Sequence, residues 1–273
     1  MKTFRKYVVL ICTCAFTAFS CSDDGPAPIK PQLPSGDSDK LLSIVHSGNT
    51  NECFDWHLYY SNDRLTKAEG SKYKSEQDLS YTSNLTYHHD AVTIKNSGKR
   101  NIIVRLNTLG YIEFMTVNSD EYEFFYQNGR LAGWSKSYND DNFGANKYKT
   151  KATISYDSQG NLATIKYEKE ENTPITLQIT SSKELNNNGL LPETISQEIG
   201  LFGFEHLYYA GLFGRPTKNL VSKIKVSGYK DTEKNTTVDF NYYRDEKTNN
   251  ITLCNYSYMG KQASVNYTYQ TND

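Results

Sequence analysis

The chain has 273 residues, a formal net charge of −1 and 37% hydrophobic residues, with 22 tyrosines, two tryptophans and five cysteines. That charge balance leaves no basic footprint for nucleic acid, and the length suits one large domain or two small ones. Abundant Tyr, Thr, Asn and Ser suit pleated, half-buried strands joined by polar turns.

Residues 1–20 read as an export signal: Lys2, Arg5 and Lys6 precede an apolar run over 7–19 that contains Val8, Val9, Leu10, Ile11 and Phe16. The run is shorter than the about 20 apolar residues of a membrane span. It ends in Thr17-Ala18-Phe19-Ser20-Cys21, which resembles the lipobox of bacterial lipoproteins. The resemblance implies cleavage before Cys21 and acylation of its sulfur. Ala18 stands where Leu is usual and Phe19 is bulky, departures tolerated by the looser lipoboxes of the Bacteroidetes. The alternative is ordinary secretion with cleavage nearby. On the lipoprotein reading the chain meets the membrane through its N-terminal lipid alone, and several acyl chains suffice for stable anchoring.

Removal of 1–20 takes away three basic residues and no acid, leaving 27 basic against 31 acidic side chains. Residues 21–39, with Pro26, Pro28, Pro31 and Pro34, have little to bury and read as a tether. Ser22-Asp23-Asp24 after the lipidated cysteine resembles the Bacteroidetes signal that sends lipoproteins to the outer face of the outer membrane. It implies a place in the cell envelope, facing the exterior. Of the other cysteines, Cys12 and Cys14 leave with the signal, so Cys53 and Cys254 remain. In an oxidising envelope they could pair as a disulfide closing a very long loop, or stay as buried free thiols.

Residues 40–273 are expected to form a single, mainly β domain, an antiparallel meander of hairpins. Tyr126-Gln127-Asn128-Gly129-Arg130-Leu131 and Tyr156-Asp157-Ser158-Gln159-Gly160-Asn161-Leu162 share a theme of Tyr, a polar turn with Gly, then Leu. Asn-Gly between β-prone runs is the strongest short-range hairpin signal. Weaker copies occur at Tyr60-Ser61-Asn62-Asp63-Arg64-Leu65, around Gly110, at Asn187-Asn188-Gly189-Leu190 and at Asn249-Asn250. The turn glycines are unevenly spaced, which excludes a solenoid of fixed period. Ala163, Ile165 and Tyr167 share one strand face while Thr164, Lys166 and Glu168 share the other, one dry and one wet. Charged residues on one face of most strands leave no room for the apolar outer band, about 25 Å tall, of a membrane-spanning barrel. One short helix is expected near 201–213, where Leu201, Phe204, Leu207, Tyr208 and Leu212 approach helical spacing before Gly214 and Pro216.

Gly211-Leu212-Phe213-Gly214-Arg215-Pro216-Thr217-Lys218-Asn219-Leu220, the Tyr…Asn-Gly-x-Leu hairpins and the closing Tyr267-Thr268-Tyr269 resemble a Bacteroidetes outer-membrane lipoprotein family of unknown function with a porin-like β fold. The resemblance covers roughly 41–269. It implies a sheet curved into a barrel or half-barrel and carries no catalytic residues.

No catalytic motif is found: there is no Gly-x-Ser-x-Gly elbow, no phosphate-binding loop and no His-Glu-x-x-His. His88-His89 is an isolated pair without metal-ligand spacing elsewhere, and Asp140-Asp141-Asn142 reads as a solvated turn in place of a calcium loop. Neither an enzyme, a cofactor nor a metal centre is therefore expected. Trp56 and Trp134 are the candidates for stacking against a sugar ring, although Trp134 matches Ile165 in the parallel hairpin and that equivalence argues for core. The leading expectation is a non-catalytic binding protein for a glycan or another extracellular ligand, protein included. The alternative is a structural, assembly or lipid-sheltering component of the envelope.

Overall fold

The computed structural model describes residues 39–48, 53–74, 80–97, 101–139, 146–169 and 173–270. The signal, nearly all of the tether, Cys21 and the Asp140-Asp141-Asn142 turn lie outside them. The strands are β1 (Lys40–Gly48), β2 (Phe54–Ser61), β3 (Arg64–Lys72), β4 (Ser80–Tyr87), β5 (Ala91–Asn96), β6 (Asn101–Leu106), β7 (Ile112–Val117) and β8 (Asp120–Gln127). They continue with β9 (Arg130–Asn139), β10 (Asn146–Tyr156), β11 (Leu162–Lys169), β12 (Ile175–Leu185), β13 (Asn219–Ser227), β14 (Thr237–Arg244), β15 (Ile251–Tyr258) and β16 (Lys261–Gln270). Each pairs antiparallel with its sequence neighbour, and β1 pairs with β16, so the sheet closes into a barrel. Closure removes the free edges that an open meander would expose.

The hairpin theme works as the sequence suggests. Asn62 and Asp63 both take positive φ, as do Asn128 and Gly129, the geometry of two-residue turns whose twist matches the strands. Because strands alternate in direction, the chain start, the chain end and every second connection, β2–β3, β4–β5 and so on to β14–β15, share one rim, here the proximal rim. Connections such as β1–β2, β11–β12, β13–β14 and β15–β16 lie at the distal rim.

Alternation sorts side chains between lumen and exterior. Trp56, Val104, Met115, Ile165, Ile224 and Val265 are buried toward the lumen. The exterior carries ion pairs: Lys67–Glu69 at 2.7 Å, Lys151–Glu168 at 3.0 Å, Lys223–Asp239 at 3.1 Å and Arg105–Glu113 at 3.4 Å. Such exposed pairs add little stability. Their meaning is solvation, since a spanning barrel would present an apolar band at these positions.

Sixteen-stranded porins enclose an aqueous channel. This lumen is filled instead. Residues 186–218 leave β12 at the proximal rim, cross to the distal end and return to β13, burying Leu190, Ile195, Ile199, Leu201, Phe204, Leu207, Leu212 and Phe213. Near the proximal rim the Asn188 amide donates to Asn250 Oδ1 at 2.7 Å and its oxygen accepts from Ile251 N at 3.1 Å. Deeper in, Trp134 Nε1 donates to Glu198 O at 3.0 Å, and where the plug returns to the proximal rim Ile112 N donates to Leu212 O at 2.8 Å. The helix expected near 201–213 spans only Glu205–Tyr209, which we label α1. The Asn187-Asn188-Gly189 turn, read as a hairpin, begins this plug.

Candidate functional site

Two side-chain groups lie where the plug reaches the distal rim. The first centres on His46, buried near the end of β1. Its Nδ1 lies 2.8 Å from Asp55 Oδ1 and its Nε2 lies 3.0 Å from Glu193 Oε2 of the plug. Tyr267 donates its hydroxyl to the other Glu193 oxygen at 3.2 Å. Burial alone would lower the His46 pKa. The Glu193 charge and the hydrogen bonds to Asp55, Cys53 and Glu193 outweigh it and raise the pKa to about 12. An imidazolium that keeps its proton at neutral pH, with a carboxylate on each nitrogen, is a poor general base. The adjoining cavity is about 30 Å³, the share of roughly one water. This group clamps the plug to the wall.

The second group surrounds a cavity of about 330 Å³. β11 turns Tyr167 inward and ends at Lys169, and β15 ends at Tyr258 before the Met259-Gly260 turn. The β13–β14 connection contributes Tyr229, Lys230, Asp231 and Lys234, and the plug contributes Gln197. That connection is ordered by its own bonds. Tyr229 N donates to Asn235 Oδ1 at 2.9 Å, Asn235 Nδ2 donates to Tyr229 O at 2.9 Å, and Asp231 caps the short turn Thr232–Lys234. Lys234 Nζ stands 5.9 Å from the centre of the Tyr229 ring.

Behind the cavity, the Tyr229 hydroxyl donates to Glu198 Oε1 at 3.1 Å. Burial pushes the Glu198 carboxyl up to about 7, against the opposing pull of its backbone hydrogen bond and Tyr229. Burial and Glu198 likewise raise the Tyr229 phenol. Tyrosine rings offer flat faces to the C–H faces of sugars, and the lysines, Gln197 and Asp231 offer polar partners. Among the described lining residues Asp231 is the one carboxylate, whereas glycoside hydrolysis uses a facing pair.

The sequence-based site residues fare differently. Trp56 and Trp134 are 1% and 4% exposed, so neither presents a face to a ligand, and the stacking expectation is corrected. Trp56 packs on His206, ring centres 4.5 Å apart, and on Gly70, while Trp134 packs on Gly200. Of the two alternatives left for the cysteines, the structure has the one without a disulfide: Cys53 and Cys254 are both reduced; β15 and β2 are separated by β16 and β1, about 14 Å at strand spacing, twice the Cα reach of a disulfide. Among the described residues no group of His, Cys, Asp and Glu is arranged to hold a metal. Sequence reading missed Tyr229, Tyr258, Lys230 and Lys234. The signal was there, an aromatic flanked by lysines in a long polar connection, but its partner Glu198 is brought to it only by the plug.

No family model matches the chain, and no curated protein matches it by sequence. Solved structures do share its fold. A porin-like protein from Bacteroides uniformis ATCC 8492 matches with a TM-score of 0.66 at 19% identity, covering 84% of this chain and 98% of that one. A porin-like protein from Bacteroides vulgatus ATCC 8482 matches with a TM-score of 0.54 at 13% identity, covering 85% and 99%. At these identities the likeness is one of fold.

Proposed function

We propose that this protein is a lipid-anchored barrel of the cell envelope, facing the exterior, that binds a glycan or another extracellular ligand at its distal cavity without transforming it. One observation carries the reading. The lumen is closed by its own plug, yet a cavity of about 330 Å³, lined by the half-buried Tyr229 and Tyr258, remains at the rim opposite the chain start. That size lies at the lower end of the roughly 300–1,000 Å³ of small-molecule sites. The porin-like folds of the Bacteroides proteins agree with an envelope barrel, while a filled lumen and charged exterior argue against a pore. A lipid-sheltering role would need an aliphatic cavity, and the apolar space beside Leu131, Ile154 and Tyr208 is about 30 Å³.

The test is a thermal-shift screen of the mature chain, carrying Cys21→Ser for solubility, against host and dietary glycans with acyl lipids in parallel. At least one glycan should raise the melting temperature, and Tyr258→Ala should abolish that rise while leaving the unliganded melting temperature within about 2 °C, as expected for a half-exposed side chain. A flat glycan panel would sink the reading.

A further inference from the structure

We infer that the distal cavity selects an anionic saccharide, a sugar unit bearing a carboxylate or sulfate, with Lys230 and Lys234 meeting the charged group and the rings of Tyr229 and Tyr258 meeting the sugar. The inference rests on the binding reading above and adds the ligand's charge.

Among the described residues, Lys230 and Lys234 line the cavity with one carboxylate, that of Asp231, beside them. This runs against the charge of the molecule, whose mature chain has 27 basic and 31 acidic side chains. Some lysines elsewhere on the exterior meet a carboxylate, as at Lys67–Glu69, Lys151–Glu168 and Lys223–Asp239, while others, such as Lys225, do not. Among the described residues no ion pair engages Lys230 or Lys234. Two exposed ammonium groups therefore stand at the mouth without an ion-pair partner among the described residues, and a cleft with an excess of one sign of charge concentrates ligands of the other.

The presentation is ordered. The reciprocal Tyr229–Asn235 hydrogen bonds and the Asp231 cap hold the connection that carries both lysines. A preorganised loop loses less entropy on binding than a mobile one. Lysines act as compact point charges, in contrast to the planar fork with which arginine grips phosphate. The tyrosines beside them supply the apolar, ring-sized surface that a bare anion would not use. The volume suits a terminal sugar unit or a disaccharide more than the interior of a long chain.

The test compares matched pairs by titration calorimetry on the mature Cys21→Ser chain at low and high salt: trigalacturonate against its methyl ester, sialyllactose against lactose, and a sulfated disaccharide against its unsulfated form. At least one acidic member should bind at least ten-fold more tightly than its neutral partner, with the preference shrinking at high salt. Lys230→Gln with Lys234→Gln should erase the preference while leaving the fold unchanged by circular dichroism. Tyr258→Ala should weaken acidic and neutral forms together. Equal binding of acidic and neutral members overturns the charge inference and leaves the binding reading standing. Acidic selectivity that survives the double lysine substitution overturns this placement of the site. No binding by any saccharide overturns both.

Discussion

Many of the tyrosines have a structural task that the hairpin theme makes visible. At the proximal rim a tyrosine ends a strand, turns inward and donates its hydroxyl to the carbonyl of the first aliphatic residue of the neighbouring strand. Tyr87 does so to Leu65 O at 3.0 Å, Tyr126 to Ile112 O at 2.8 Å and Tyr269 to Ile251 O at 2.8 Å. Register shifts between Tyr59 and Tyr60, Phe125 and Tyr126, and Ser155 and Tyr156 are bulges that re-aim the side chain at that point. The Tyr–turn–Leu pattern was legible because all of this is local in sequence. Removing one such hydroxyl leaves a carbonyl short of a donor, so Tyr126→Phe should cost about 1 kcal/mol. For a domain of this size that is a drop of roughly 2–4 °C, read by thermal denaturation at neutral pH. An unchanged melting temperature would show that ring packing alone holds the rim. The tryptophans show the same locality. The equivalence of Trp134 with Ile165 places both in the core, whereas the cradle at Gly200, where a Cβ would come within 2.7 Å of the Trp134 ring, joins residues far apart in sequence.

At the scale of the element, the plug is what sequence reading under-described. Apolar residues near helical spacing suggested a longer helix, but Gly203, Gly211 and Gly214 take positive φ, and the segment is buried on all sides rather than along one face. The plug also carries the buried charges. Glu198 and Glu205 are both raised by burial to about 7, while burial lowers His206 to about 3 and keeps it neutral. A carboxyl near 7 when folded, against an ordinary value of 4.5, holds its proton in the native state after the unfolded chain has released it. Its contribution is therefore fully present below about 4.5 and is lost as pH rises through about 7. His206 has the opposite slope, losing stability as pH falls from 6.5 toward 3. Glu198→Gln supplies an amide that stays neutral and can still accept from Tyr229. Relative to the parent, this variant should gain stability between pH 5 and 8, by at most about 1.4 kcal/mol per pH unit, measured by denaturant melts at each pH. Parallel curves for the two proteins would mean that Glu198 ionises normally. The His46 clamp, with its pKa near 12, stays closed across this window and does not confound the comparison.

At the scale of the whole molecule, closure and polarity of the barrel decide what the N-terminal segment has to do. β1 begins at the proximal rim, where Asn250 Nδ2 donates to Asp39 Oδ2 at 2.7 Å and Lys40 meets Asp63 at 2.6 Å. The tyrosine cavity opens at the other rim, so a tether leaving Asp39 for a membrane would leave that cavity facing away from it. Sequence reading reached the antiparallel meander, its alternation and its approximate extent. It left the closure open, because pairing of β1 with β16 joins the two ends of the chain and no short-range signal reports it. The charged exterior gives the bilayer no apolar band to hold, so attachment should depend on Cys21 alone. In a bacterial host the full-length chain should partition with the membrane fraction and be released by detergent, whereas Cys21→Ser should appear in the soluble envelope fraction. Its melting temperature should match that of the parent, because the β1–β16 seam that closes the barrel starts at Lys40. A Cys21→Ser chain that stays with the membrane would mean that the barrel surface itself binds lipid, and the reading of its exterior as a solvated face would fail with it.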